Sequence, residues 1–184
     1  MKRLLMLSVV LAISNVVFAE EWEDDNPEDV GKELRHMILN ATSDQLGAEP
    51  SEEFPRIYAV ITDWRIRNGH IATVGSANNG WASLYTTARF GVIGGEEHDE
   101  VRTAAIRCVK IADQFFNLSE PTEEWSYPVE GEIYFYLKTF EGLRVIKVLE
   151  SEIYNQSHPT TPLFAATQDI VTALRHVSEA NDSE

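Results

Sequence analysis

The chain has a single cysteine, Cys108, in 184 residues. No intramolecular disulfide can form, so the fold must hold together without a covalent staple. Basic residues are scarce too: 15 Lys and Arg stand against 30 Asp and Glu, a net charge of −15 at neutral pH. A charge of that sign repels phosphate backbones and anionic membrane surfaces, which argues against nucleic acid as a partner. Several chemical signatures are missing. There is no Gly-x-Ser-x-Gly, no His-Glu-x-x-His and no cysteine pair. Their absence removes the usual marks of a serine hydrolase and of a zinc site, and no metal or cofactor is expected. After residue 19 no apolar run approaches the roughly 20 residues that span a bilayer.

What is present starts at the N-terminus. Lys2 and Arg3 precede an apolar run over residues 4–17, and Val17 and Ala19 stand where a signal peptidase reads. This is the plan of a secretory signal peptide cleaved after Ala19. The competing reading, a retained anchor, meets a run of about 14 residues where about 20 are needed. No cysteine lies at the junction to take a lipid. Export places the mature chain in the periplasm or outside the cell. Cleavage leaves thirteen basic residues (15 less Lys2 and Arg3) against 30 acidic ones, a net charge of −17. The sequence does not identify the host, so sequons at Asn40, Asn117, Asn155 and Asn181 matter only in a glycosylating one.

The remainder is one domain by length. Residues 20–26 read as an acidic disordered leader, 27–178 as a single α+β domain and 179–184 as a disordered tail. Asn26 is a helix cap followed by Pro27 at the first helical position, and Val30, Leu34, Met37 and Ile38 share one face. That predicts a helix over 27–40. Strands are expected at 56–66, 71–76 and 81–90, joined by turns at Asn68-Gly69 and Asn79-Gly80, where positive φ is tolerated. A long helix over 96–116 follows, with Val101, Ala104, Ala105, Cys108, Ile111, Ala112 and Phe115 as its apolar stripe. Strands at 132–138 and 143–149 form a hairpin across Glu141-Gly142, and a last helix opens with Thr161 and Pro162. The order α-β-β-β-α-β-β-α suits a five-stranded, mainly antiparallel sheet with helices packed on it. By topology this is similar to profilin-like or roadblock-like modules, which serve mostly as binding platforms.

The candidates for chemistry are few. The segment Gly91-Val92-Ile93-Gly94-Gly95-Glu96-Glu97-His98 has the outline of a phosphate cradle. Glu96, Glu97 and Asp99 would set three carboxylates against an incoming anion, so it reads as a glycine turn followed by a helix start. Cys108 sits among alanines and aromatics at helical spacing, as a space-filling thiol does. Asp63, beside Trp64 at the end of a central strand, is the best single carboxylate for acid–base work. Its competing role is to cap a turn. Trp81 after a hairpin turn, with Trp125 and Tyr127 in the long loop, are candidate anchors for a partner.

The segments Ile57-Tyr58-Ala59-Val60-Ile61-Thr62-Asp63-Trp64, Ala82-Ser83-Leu84-Tyr85-Thr86-Thr87, Phe90-Gly91-Val92-Ile93-Gly94-Gly95-Glu96 and Thr139-Phe140-Glu141-Gly142 resemble a family of small uncharacterised bacterial proteins. The resemblance covers most of the sheet and implies no activity. Three functions stay open. The first is an exported acidic binding protein with a basic protein partner, for example an immunity protein that occupies the groove of a basic toxin. The second is a small periplasmic hydrolase using Asp63 with a second acid or a histidine. The third is a small-molecule sensor with a cavity beneath its sheet. Oligomeric state is not legible.

Overall fold

The structure is a computed structural model and describes residues 27–88, 91–94 and 97–181. The expectations for the signal, the acidic leader and residues 182–184 lie outside the described residues. Among those described, four α-helices and seven strands form one α+β unit. They are α1 (Pro27–Asn40), β1 (Ile57–Arg65), β2 (Ile71–Ala77), β3 (Ala82–Thr86), β4 (Gly91–Ile93), α2 (Asp99–Asp113), β5 (Glu120–Pro121), β6 (Glu132–Thr139), β7 (Gly142–Leu149), α3 (Glu150–Tyr154) and α4 (Thr161–Asn181). The strands make a single antiparallel sheet in the order β4-β3-β2-β1-β6-β7-β5.

The expectation of five strands is therefore corrected to seven, and the element order differs from the one expected. The additions are the two short edges. Residues 81–90 read as one strand because they are rich in aromatic and β-branched side chains. The chain instead bends after Thr86 and returns as β4, with Ser83 opposite Ile93 and Tyr85 opposite Gly91. β5 holds two residues, one of them proline, and so shows no alternation to read. A short edge strand with an acid and a proline also blunts edge-to-edge association.

Local rules explain the joints. Asn68 and Gly69 take φ of 63° and 77° in a short 3-10 turn over Arg67–Gly69 that carries the chain from β1 into β2. Gly80, with φ 95°, closes the turn from β2 to β3, where the Trp81 N–H donates to Asn79 Oδ1 at 3.0 Å. The long helix begins at Asp99, with Asp99 and Glu100 in its positive first turn, and ends at Asp113 ahead of a short 3-10 turn. α4 continues to Asn181.

The sheet is covered on both faces. α2 and α4 lie on one, burying Val101, Ala105, Cys108 and Ala112 together with Leu163, Ile170 and Leu174 against Val60, Val74, Phe135 and Leu137. Thr62 in mid-sheet joins Thr167 of α4 through their hydroxyls at 3.0 Å. The other face carries α1 and the long loop ahead of β6, with Ile38, Leu39, Ile61, Tyr85, Tyr134, Tyr136 and Val145 as its core. Gly31 lets α1 approach closely, because a Cβ there would collide with the Thr86 carbonyl. Among the described residues, no helix is long and apolar enough to cross a membrane.

Candidate functional site

The α1 face gathers the buried charged residues, Arg35, Asp63 and Lys138. Asp63 stands in β1 directly across from Thr73 of β2 and Tyr134 of β6, at the centre of the sheet. It is 0% exposed. A buried carboxylate requires partners, and α1 supplies the main one. Arg35 shares the inner side of α1 with Ile38 and Leu39, at helical spacing of three and four. It is itself 4% exposed. Its Nε and Nη2 donate to Asp63 Oδ2 at 2.9 and 2.7 Å, and Thr73 Oγ1 donates to Oδ1 at 2.6 Å. Burial pushes the Asp63 carboxyl above the ordinary aspartate value. The Arg35 charge and the donors of Arg35 and Thr73 pull it back.

Arg35 also reaches outward. Nη2 donates to the Ser126 carbonyl at 3.2 Å, and Tyr136 Oη donates to the same oxygen at 2.6 Å. The guanidinium lies 4.2 Å from the centre of the Tyr127 ring and 5.5 Å from that of Tyr136. Burial pushes the Tyr136 phenol up to about 12 and raises that of Tyr127. The loop of residues 122–131 is thus fastened from beneath. It leaves β5 on the outer side of β7 and must reach β6 on the inner side, so it crosses the sheet face over β7. Trp125 is half-buried there, edge-on to His36 of α1 with ring centres 5.7 Å apart. Glu120, Glu123, Glu124 and Glu130 are exposed along the same stretch.

The structure therefore links Asp63 to Tyr127 through Arg35 and places Trp125 beside them. Trp81 lies on the same face at the β2–β3 turn, partly buried, with its indole over Gly75, where a Cβ would collide with it. The sequence reading missed Arg35, having placed Met37 on the inner face of α1. Met37 is 60% exposed. The available signal was the aspartate itself: an acid inside an apolar central strand calls for a buried cation.

A second buried cation fastens the far end of α1. Lys138 of β6 donates to the carbonyls of Ile38, Leu39 and Ala41, with the first two bonds at 2.6 and 3.0 Å. It caps the negative end of the helix with its own charge. Burial pulls its ammonium down to about 8. A shallow pocket of about 260 Å³ opens beside it, lined by Asn40, Thr42, Tyr58 and Phe140 among others. Among the described residues, no group of three His, Cys, Asp or Glu could hold a metal ion. No family model, curated protein or solved structure matches this chain.

Proposed function

We propose that the protein is an exported acidic binding module, with the stretch at 119–131 as its recognition surface and a basic protein as its partner. The observation that carries this reading is the Arg35 junction. One guanidinium joins the buried Asp63 carboxylate, the Ser126 carbonyl and the Tyr127 ring. A loop held in this way is ordered before a partner arrives, which lowers the entropy cost of binding. Its four exposed carboxylates attract a basic surface, and the half-buried Trp125 offers a rigid aromatic contact at the centre. Asp63 acts here through Arg35 and touches no partner. An immunity protein set against a basic toxin is one concrete form of such a module.

The hydrolase reading needs Asp63 to meet substrate, and solvent does not reach it. The sensor reading needs a cavity between the sheet and the long helix, where Cys108, Phe135 and Leu137 are packed. Neither gains support from an observed feature. The test is affinity capture on the chain starting at Glu20, in parallel with a Glu123→Lys/Glu124→Lys variant. The expected catch is basic and is lost in the variant and in about 300 mM salt, where screening shortens electrostatic reach to under 10 Å. A catch indifferent to both changes overturns the reading.

A further inference from the structure

Basic charge is unevenly placed in this chain. Between Phe54 and Gly95 the sequence holds four arginines and one acid, Asp63, which Arg35 already pairs. Two of the four, Arg65 and Arg67, stand where β1 passes into β2. Arg67 is exposed and meets no acceptor among the described residues. Arg65 donates from Nη1 to the Gly69 carbonyl at 3.3 Å, and its Nε is without an acceptor. Glu132, next in register on β6, is engaged with the Tyr134 hydroxyl. The start of α1 lies towards this same end of the sheet. Its Ile38 and Leu39 carbonyls meet Lys138, opposite Ala59, whereas Gly31 packs on Thr86, opposite Ala72. The Thr87 N–H donates to the Ile71 carbonyl at 2.9 Å, so the first turns of α1 stand beside the start of β2.

We infer that residues 20–26 fold back over this turn and pair their carboxylates with Arg65 and Arg67, a contact separate from the surface at 119–131. The segment carries Glu20, Glu21, Glu23, Asp24 and Asp25, with Trp22 among them. It ends where α1 begins, at Pro27, and seven residues reach about 23 Å when extended. From Gly31 back to Pro27 is about 6 Å of helix. From Thr86 to β2 is one strand spacing, about 5 Å. The turn is therefore within reach. A single exposed ion pair is weak. A short tether raises the local concentration of carboxylates to about the millimolar range, so several weak pairs act together within one chain. Trp22 adds an aromatic face on which a guanidinium plane stacks. A second copy offers similar charges at its own 119–131 stretch, but its acidic body repels this one and no tether concentrates it.

The test follows backbone amide resonances of the chain from Glu20 at about 10 mM salt, where charges act over about 30 Å. One variant carries Glu20→Gln, Glu21→Gln, Glu23→Gln, Asp24→Asn and Asp25→Asn, which removes the charge of the segment and leaves residues 27–181 untouched. The reciprocal variant is Arg65→Gln/Arg67→Gln. Neutralising the segment is expected to shift the amides of residues 65–70. The reciprocal variant is expected to release residues 20–26, with their heteronuclear NOE falling to that of a free chain end. Raising salt to about 1 M, where the Debye length is about 3 Å, is expected to move the same 65–70 amides of the natural chain in the same direction. Unmoved 65–70 amides in the neutralised variant overturn the inference. So does a shift there that grows with protein concentration, which assigns the turn to a second copy. A response of 65–70 to inorganic phosphate that is equal with and without the charges of the segment assigns the turn to an outside anion and overturns it as well.

Discussion

Arg35 and Asp63 form an ion pair almost wholly out of water, with side-chain exposures of 5% and 0%. Removing one member strands the other charge, which costs about 3–5 kcal/mol, whereas replacing both with apolar residues is often near neutral. Arg35→Met is accordingly expected to lower unfolding stability by that amount in urea titrations. Arg35→Met/Asp63→Leu is expected to recover most of the loss. A double variant as unstable as the single one would mean that the Thr73 hydroxyl, deprived of Asp63, and the lost Arg35 bond to Ser126 matter more than the charges. Lys138 allows a test of sign. Its ammonium is pulled down to about 8 from an ordinary value of 10.5. Between these values the unfolded chain holds a proton that the folded chain has released, so stability rises with pH across that window. The difference in urea midpoint between the natural chain and Lys138→Met should therefore grow from pH 8 towards 10. A constant or shrinking difference would show that the three carbonyls of α1 hold the charge against burial. The comparison stops at pH 10, because Tyr85 and Tyr136, pushed up to about 12, work in the opposite direction above it.

Among elements, α1 and the loop at 122–131 form one layer. Helix propensity alone makes Gly31→Ala stabilising by about 1 kcal/mol. The Thr86 carbonyl reverses that sign, because the added Cβ would collide with it. The expected outcome is a net loss of about 1–3 kcal/mol, in the range of other overpacked contacts. Glu33→Ala on the exposed side serves as the control. The loop should follow α1. Arg35→Met removes its anchor to Ser126 and Tyr127, so hydrogen exchange of loop amides is expected to speed up more than that of β1 or β6. Unchanged loop protection would mean that Tyr136 alone holds the Ser126 carbonyl. Sheet elements were legible where patterns were long. β1 and β6 are long apolar and β-branched runs buried on both faces, β7 alternates in its second half, and Asn68-Gly69 lies in the turn that joins β1 to β2. The edges β4 and β5 were not legible, because three and two residues are too few to show a period and depend on the neighbouring strand for definition.

For the molecule as a whole, net charge is the main long-range effect. A charge of −15 over 184 residues opposes the compact state by self-repulsion. The melting temperature is therefore expected to rise as salt increases from low ionic strength to about 0.15 M, where the Debye length falls to about 8 Å. A melting temperature that falls over this range would mean that attractive pairs such as Arg56–Asp113 and Lys110–Glu53 outweigh the repulsion. The sequence by itself determined the charge, the starts of α1 and α4, the hairpin turns and the α+β class, because caps and turns depend on residues within a turn or two of one another. Only the tertiary structure decided which carboxylate is buried, which cation answers it and which loop is pinned. Arg35, Asp63 and Ser126 are brought together by a helix crossing a sheet, and contacts between segments far apart in the chain leave no periodic trace in its order of residues.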